Sequence, residues 1–361
     1  MSKQTPSYLG TSRTDYERFG VKKDEIEQWE DGFRTDGSKG TYEWWYFDAH
    51  LDDTSKIVIV FYTKSLVDVG KPLAPYVSIT LDRPDGTHVE KMYYAPATAF
   101  TASKEKCDVR LGPNIFEGDL HTCRIHLEIE DVLVNLTLTG TVPPWRPATG
   151  SIFFGGKSEH YFAWLPAVPQ GDVDATITID SKTEKFTGIG YHDHNWGNIS
   201  MVRLMNHWYW ARGKVGAYTV IASHITAEKP YAYKTFPIFM LAREGKILVD
   251  DGSKVTFSDG DVHTDKETGK PVANLIVYEY KDETDRYLLT FKREKTILRL
   301  KLVDDIHGIQ GFLARLIGFD GAFLRFTGDL AIDHYSGDKL VESEHEEAIW
   351  ELMYFGHVQK N

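Results

Sequence analysis

Thr41-Tyr42-Glu43-Trp44-Trp45-Tyr46-Phe47-Asp48-Ala49-His50-Leu51-Asp52-Asp53 sets the aromatic run Trp44 to Phe47 between two carboxylates and then enters a turn. Beyond Asp52-Asp53-Thr54-Ser55 the side chains alternate, with Ile57, Ile59 and Phe61 on one side and Val58, Val60 and Tyr62 on the other. A period of two predicts a strand, and the turn between two such runs predicts a hairpin. Both faces of its second strand are apolar, so both are expected to be covered.

The same grammar recurs through Tyr76 to Tyr94 around Pro84-Asp85-Gly86, through Arg124 to Val142, and through Ala175 to Asp180 with Lys185 to Asp193. In the second half, strands are predicted over residues 208–210, 218–224, 238–243, 275–280, 287–291, 298–303, 323–326 and 348–355. Helical spacing is convincing only for Ile306, Ile309, Phe312, Leu313, Leu316 and Ile317. Many short strands in 361 residues predict an all-β chain of two sandwich or barrel domains with little helix. The expected organisation is a polar arm over 1–36, a β-domain over 37–202 and a second over 203–361.

Lys plus Arg number 41 against 53 Asp plus Glu, a net charge of -12, and no basic block occurs. Nucleic acid and anionic membrane surfaces are thereby disfavoured, since both need clustered cations. No apolar run is long enough to span a bilayer, and Met1 to Ser7 lacks the apolar centre of a signal peptide, so a cytoplasmic protein is expected. In that compartment Cys107 and Cys123 are expected to remain thiols. A homodimer is left open.

A second string, Tyr191-His192-Asp193-His194-Asn195-Trp196-Gly197-Asn198, completes the chemistry. On a strand His192, His194 and Trp196 share one face, and Tyr191, Asp193 and Asn195 the other. In the first string Glu43, Trp45 and Phe47 share a face, as do Trp44, Tyr46 and Asp48. A carboxyl in such an aromatic wall is held protonated toward neutrality and can act as an acid. His192, Asp193, His194 and Glu43 are the catalytic candidates, with His194 foremost; a structural role in a β-core is the competing account of each. Asn206 to Arg212 adds Tyr209 as a further proton donor and Trp208 and Trp210 as ring surfaces for a cationic intermediate. Trp44, Trp45, Tyr46, Trp196, His160 and Tyr161 are expected to line the ligand. No metal is expected, because His192 and His194 lack an evident third and fourth ligand. Nucleophile elbows, phosphate-binding glycine loops and His-Glu-x-x-His are absent from the sequence, which removes the common hydrolases, kinases and nicotinamide enzymes.

Glu43-Trp44-Trp45-Tyr46-Phe47 and Gly190 to Gly197 together resemble the signatures of the lipocalin-like superfamily of acyclic carotenoid 1,2-hydratases (hydroxyneurosporene synthases), kievitone hydratase, AttH proteins and fungal decalin-forming Diels–Alderases. The resemblance runs from about Gly37 to the C-terminus and implies two lipocalin-like barrels with a ligand cavity in or between them. In the hydratase branch it matches His194 and Trp196 to a His-x-Trp element. The downstream Tyr-x-Asp of that branch is not matched, since Tyr209 is followed at that offset by Ala211. The expected function is a cofactor-free enzyme enclosing a large hydrophobic polyene, isoprenoid or polyketide-derived substrate. It would promote hydration or intramolecular cyclisation at a C=C bond. A non-catalytic lipocalin-type carrier is the alternative.

Overall fold

The computed structural model describes residues 5–66, 68–302 and 320–359. The chain divides into two compact units, Tyr8–Ser200 and a second that begins at Met201 and takes in the segment ending at Ser7. The helical spacing over residues 306–317 lies outside the described residues. Among the described residues no helix is long and apolar enough to cross a membrane.

Alternation builds the first unit. Tyr42–Leu51 and Lys56–Tyr62 pair as the opening hairpin, Phe47 opposite Ile59 and Trp45 opposite Phe61. Asp53 closes its turn by accepting the Ser55 N–H at 2.9 Å. Tyr76–Asp82 and His88–Tyr94 extend the sheet on one side. On the other side run Lys182–Gly197, His160–Ile179, Val132–Gly140 and Thr122–Ile129, followed by three shorter strands. One pairing joins distant sequence: Tyr42–Leu51 lies antiparallel against Lys182–Gly197, with Trp45 opposite His194 and Glu43 opposite Trp196. The two motifs are therefore neighbours, as each one's unpaired strand edge requires.

The second unit repeats the plan. Its opening strand, Met205–Val215, pairs with its closing strand, Lys339–Tyr354. The aromatic segments Glu43 to Phe47 and Trp208 to Trp210 thus occupy equivalent strands. Each sheet curls around a core of its own. The first contains Trp45, Phe47, Ile57, Phe61, Phe116 and Leu127, and the second Tyr278, Phe291, Phe326 and Trp350. Full burial of each such side chain contributes about 1.5–3 kcal/mol.

Three expectations change. The strands expected over 287–291 and 298–303 run together as Asp285–Leu300, whose register shifts between Arg293 and Lys295 and between Thr296 and Leu298 hide the continuity from a period-two reading. Lys246–Val249 and Val255–Thr264 are additional strands, too solvent-exposed to carry an apolar pattern. The polar arm is not a surface appendage: Asp15, Glu30, Asp31 and Thr35 are buried. Cys107 and Cys123 are buried free thiols.

Glycine sets one bend that matters for the site. Gly171 faces Gly190 just where the pairing shifts register after Val168. A Cβ on Gly171 would stand 2.5 Å from the Thr139 carbonyl oxygen and 2.8 Å from Leu138 Cδ1. Gly171→Ala is expected to destabilise the protein by about 1–3 kcal/mol, read as a lower midpoint in thermal melting; an unchanged midpoint would show that the strand yields freely.

Candidate functional site

The paired motif strands carry two polar constellations, one on each face. On the core face, Glu43 Oε1 accepts from the Arg34 N–H at 2.7 Å and lies 2.8 Å from His194 Nε2, while Oε2 accepts from the Thr35 N–H at 2.8 Å. His192 Nδ1 donates to the Tyr46 carbonyl at 2.9 Å, and its Nε2 meets Asp31 Oδ2 at 3.0 Å. Both nitrogens of His192 face acceptors, the arrangement of an imidazolium. Burial pulls this imidazole down, but the charge and hydrogen bond of Asp31 and the Tyr46 carbonyl outweigh it, and the net shift is upward. His194 is stacked between Trp45, at 4.6 Å and 15°, and Trp196, at 4.7 Å and 38°. Its Nδ1 lies 3.5 Å from Asp31 Oδ1, an ion-pair distance at which neither atom completes a hydrogen bond.

The N-terminal segment delivers Asp31 to this face. Gln28–Asp31 forms one 3₁₀ turn whose Glu30 pairs with Arg146 at 2.7 Å, both side chains buried. Arg146 also donates to the carbonyls of Lys22, Glu25 and Ala148. The Asp31 carbonyl accepts the Trp45 indole N–H at 3.0 Å. Glu43, Asp31, His192 and His194 therefore form a buried polar network that pins the segment to the strands.

On the opposite face stands Asp193. Its Oδ2 accepts the Trp164 indole N–H and the Tyr191 hydroxyl, each at 2.7 Å, and its Oδ1 accepts the Asn195 amide at 2.7 Å. Burial among these rings raises its pKa to about 6, the hydrogen bonds opposing the rise only in part. Across the pair Tyr46 stands opposite Asp193 and donates to Asp48 at 2.9 Å. Asp193 keeps 6% exposure, where His194 and Glu43 have none. The carboxyl in an aromatic wall is expected from the sequence at Glu43 or Asp48; the one that burial raises is Asp193, whereas Glu43 accepts from the Arg34 and Thr35 N–H groups and Asp48 from the Tyr46 hydroxyl.

The remaining candidates separate. Trp45 and Trp196 flank His194, whereas Trp44 is on the Asp193 face and stacks on Tyr42 at 5.6 Å. His160 and Tyr161 begin their strand half-buried, with Tyr161 edge-on to Phe19 at 5.2 Å. Trp208, Tyr209 and Trp210 belong to the second unit. Tyr209 accepts the Ala273 N–H at 3.1 Å, and burial pushes its phenol up to about 12, so within that unit it is a core residue. Asp31, Trp164, Tyr191 and Asn195 were not among the candidates. Tyr191 and Asn195 lie in the string from Tyr191 to Asn198, and only the register adds Trp164 beside Asp193.

Asp31, Cys107 and His192 bring donor atoms within 4.8 Å of one another. The Asp31 and His192 donors are engaged with each other, and burial, then the charge of Asp31, pushes the Cys107 thiol well above its ordinary value. The group behaves as an ion pair beside a neutral thiol. A cleft of about 680 Å³ elsewhere on the first unit is lined by Asp52, Arg124, His126, Asn135, Asp174 and Lys185 among others, and by none of the candidate catalytic or ligand-lining residues.

Two curled antiparallel sheets, with protonatable groups on the strand pair that closes the first, define a lipocalin-like protein. The chain belongs to the Diels-Alderase-like family, whose model matches residues 35–301. The quinolone epoxide rearrangement protein penF of Penicillium thymicola is 32% identical over 200 residues, 50% of this chain and 54% of that protein. Hydroxyneurosporene dehydrogenase of Chlorobaculum tepidum is 25% identical over 219 residues, 48% of this chain and 53% of that one. The crystal structure of CghA shares the fold with a TM-score of 0.61 at 13% identity, over 90% of each chain. The chain spans about half the length of the curated relatives it matches.

Proposed function

We propose that this protein is an enzyme that binds a hydrophobic polyene, isoprenoid or polyketide-derived molecule and promotes its cyclisation or rearrangement by proton donation from Asp193. The observation that carries the reading is a buried carboxyl held by three uncharged donors among indole and phenol rings, whose pKa burial raises to about 6. A general acid of this strength holds and releases a proton near neutrality. Trp44, Tyr46, His160 and Tyr161 are the ring surfaces proposed to meet the ligand; Glu43, His192 and His194 hold the strand that presents Asp193.

The step is redox-neutral. The Asp193 proton passes to an alkene carbon or an epoxide oxygen, and a neighbouring C=C bond or migrating group quenches the positive charge. A proton lost from the product restores the carboxyl. The likeness to penF, described as a quinolone epoxide rearrangement protein, favours isomerisation over addition of water. The unmatched Tyr-x-Asp beyond Tyr209 weighs the same way.

The test is to incubate the full chain with alkenyl quinolone epoxides and linear polyenes and to follow the mixture by mass spectrometry. A new product of unchanged mass is expected. Gain of one water would make the protein a hydratase, and stoichiometric recovery of unaltered bound ligand would make it a carrier; either overturns the proposal.

A further inference from the structure

A carboxyl offers four lone-pair positions on its two oxygens. Around Asp193 three are filled: Trp164 and Tyr191 take both positions of Oδ2, and Asn195 takes one of Oδ1. A proton on Oδ2 would have to displace the Trp164 indole or the Tyr191 hydroxyl from a 2.7 Å hydrogen bond. A single position remains, on Oδ1. We propose that Trp164 and Tyr191 are positioning residues that hold the transferable proton of Asp193 on Oδ1, and thereby fix the side from which substrate must approach. The inference rests on Asp193 as the acid.

Both donors suit the task. An indole N–H donates and never accepts, so Trp164 cannot compete for the proton. Burial first, and the charge of Asp193 second, push the Tyr191 phenol well above its ordinary value, so it too remains a donor. Trp164 is held in place: it faces Asn195 across the strands, and Trp145 packs edge-on against it at 6.1 Å. Trp145 is itself tied by its N–H to the Pro166 carbonyl at 3.1 Å, inside the register shift between Leu165 and Val168. When the proton leaves, all three donors already point at the new carboxylate, so no reorganisation is needed. The titratable groups facing Asp193 are Tyr191 on its own strand and Tyr46 across the pair, while His192, on the opposite face, acts on it through its charge alone; Trp164 and Asn195 carry no charge.

The experiment uses the full chain labelled with ¹⁵N-tryptophan, the Trp164 indole resonance being assigned by its loss in Trp164→Phe. In the native protein this resonance should move with pH as Asp193 ionises, and in Asp193→Asn it should stay still. Tyr191→Phe removes a donor to the charged form and should carry the midpoint upward by about one pH unit. The pH profile of turnover in Trp164→Phe should move upward by a similar amount. An indole resonance that ignores pH, or that titrates equally in Asp193→Asn, overturns the positioning role. If the resonance titrates with Asp193 but turnover ignores Trp164→Phe, the positioning geometry stands and Asp193 is not the acid.

Discussion

Asp193→Asn is expected to lower turnover by about 100-fold or more, the usual loss when a general acid is removed, while leaving the protein as stable as before or more so. Activity in the native protein should follow the protonated carboxyl: level below about 6 and falling above it, by roughly tenfold per pH unit. The stability argument has a definite sign. A carboxyl whose folded pKa is raised binds its proton more tightly in the native state, so its contribution is favourable at low pH and is lost as pH rises through about 6. Above that point the native protein carries a buried charge at a cost on the order of 3 kcal/mol. Asparagine carries no charge. Its oxygen can accept from Trp164 and Tyr191, and Asn195 can turn its amide to present an oxygen to the new NH₂. Urea denaturation at pH 8 should therefore find the variant at least as stable as the native chain. A strongly destabilised variant would mean that Asp193 is structural, and retained turnover would mean that the proton comes from elsewhere.

The sequence makes the fold legible where both faces of a strand are patterned. The hairpins over 42–62, 76–94 and 122–140 follow from apolar alternation broken by Asp, Gly and Pro, and alternation along two strings also separates the faces of residues 43–48 and 191–196. What alternation does not state is which strands meet. The pairing of Trp45 with His194 joins residues with no local signal between them. Asp31 was hidden for another reason: Trp29, Glu30 and Asp31 lie in a segment too polar and too short of apolar period to suggest burial. It is buried through Glu30 and Arg146, Asp31 and His192, and Trp45 on the Asp31 carbonyl, all of them long-range partners. The same limit explains the order of the candidates. His194 has the side chain best suited to proton transfer in isolation, but its neighbours enclose it, whereas Asp193 owes its raised pKa to burial among rings that include Trp164, placed beside it by register.

Division of labour between the faces follows from exposure and charge. The core face holds carboxyls paired with imidazoles, each at most 1% exposed, a setting that suits anchoring. On the opposite face Asp48 accepts from Tyr46, and Asp193, surrounded by the uncharged donors Trp164, Tyr191 and Asn195, is the carboxyl proposed to hold and transfer a proton. In the proposed reading a single two-residue period alternates anchor and acid along the strand from Tyr191 to Trp196.

Glu43 tests the anchoring half. Glu43→Ala should destabilise the protein by about 3–5 kcal/mol, the cost of removing one partner from a buried charged pair. The substitution leaves the backbone N–H groups of Arg34 and Thr35 and the ring of His194 facing a void. Glu43→Gln keeps the shape and still fails to restore the network. Each carboxylate oxygen receives a backbone N–H, at 2.7 and 2.8 Å, so whichever way the amide turns its NH₂ meets another donor. That mismatch is expected to cost about 1–3 kcal/mol. Chemical denaturation should therefore rank the native chain above Gln, and Gln above Ala. Because Glu43 ties down Arg34 and Thr35, both variants should also be cut by protease within residues 32–38 under conditions where the native chain resists. A glutamine variant equal to the native chain in both measurements would show that the carboxylate contributes packing alone, and that the N-terminal segment is held by Arg146 and Asp31 without it.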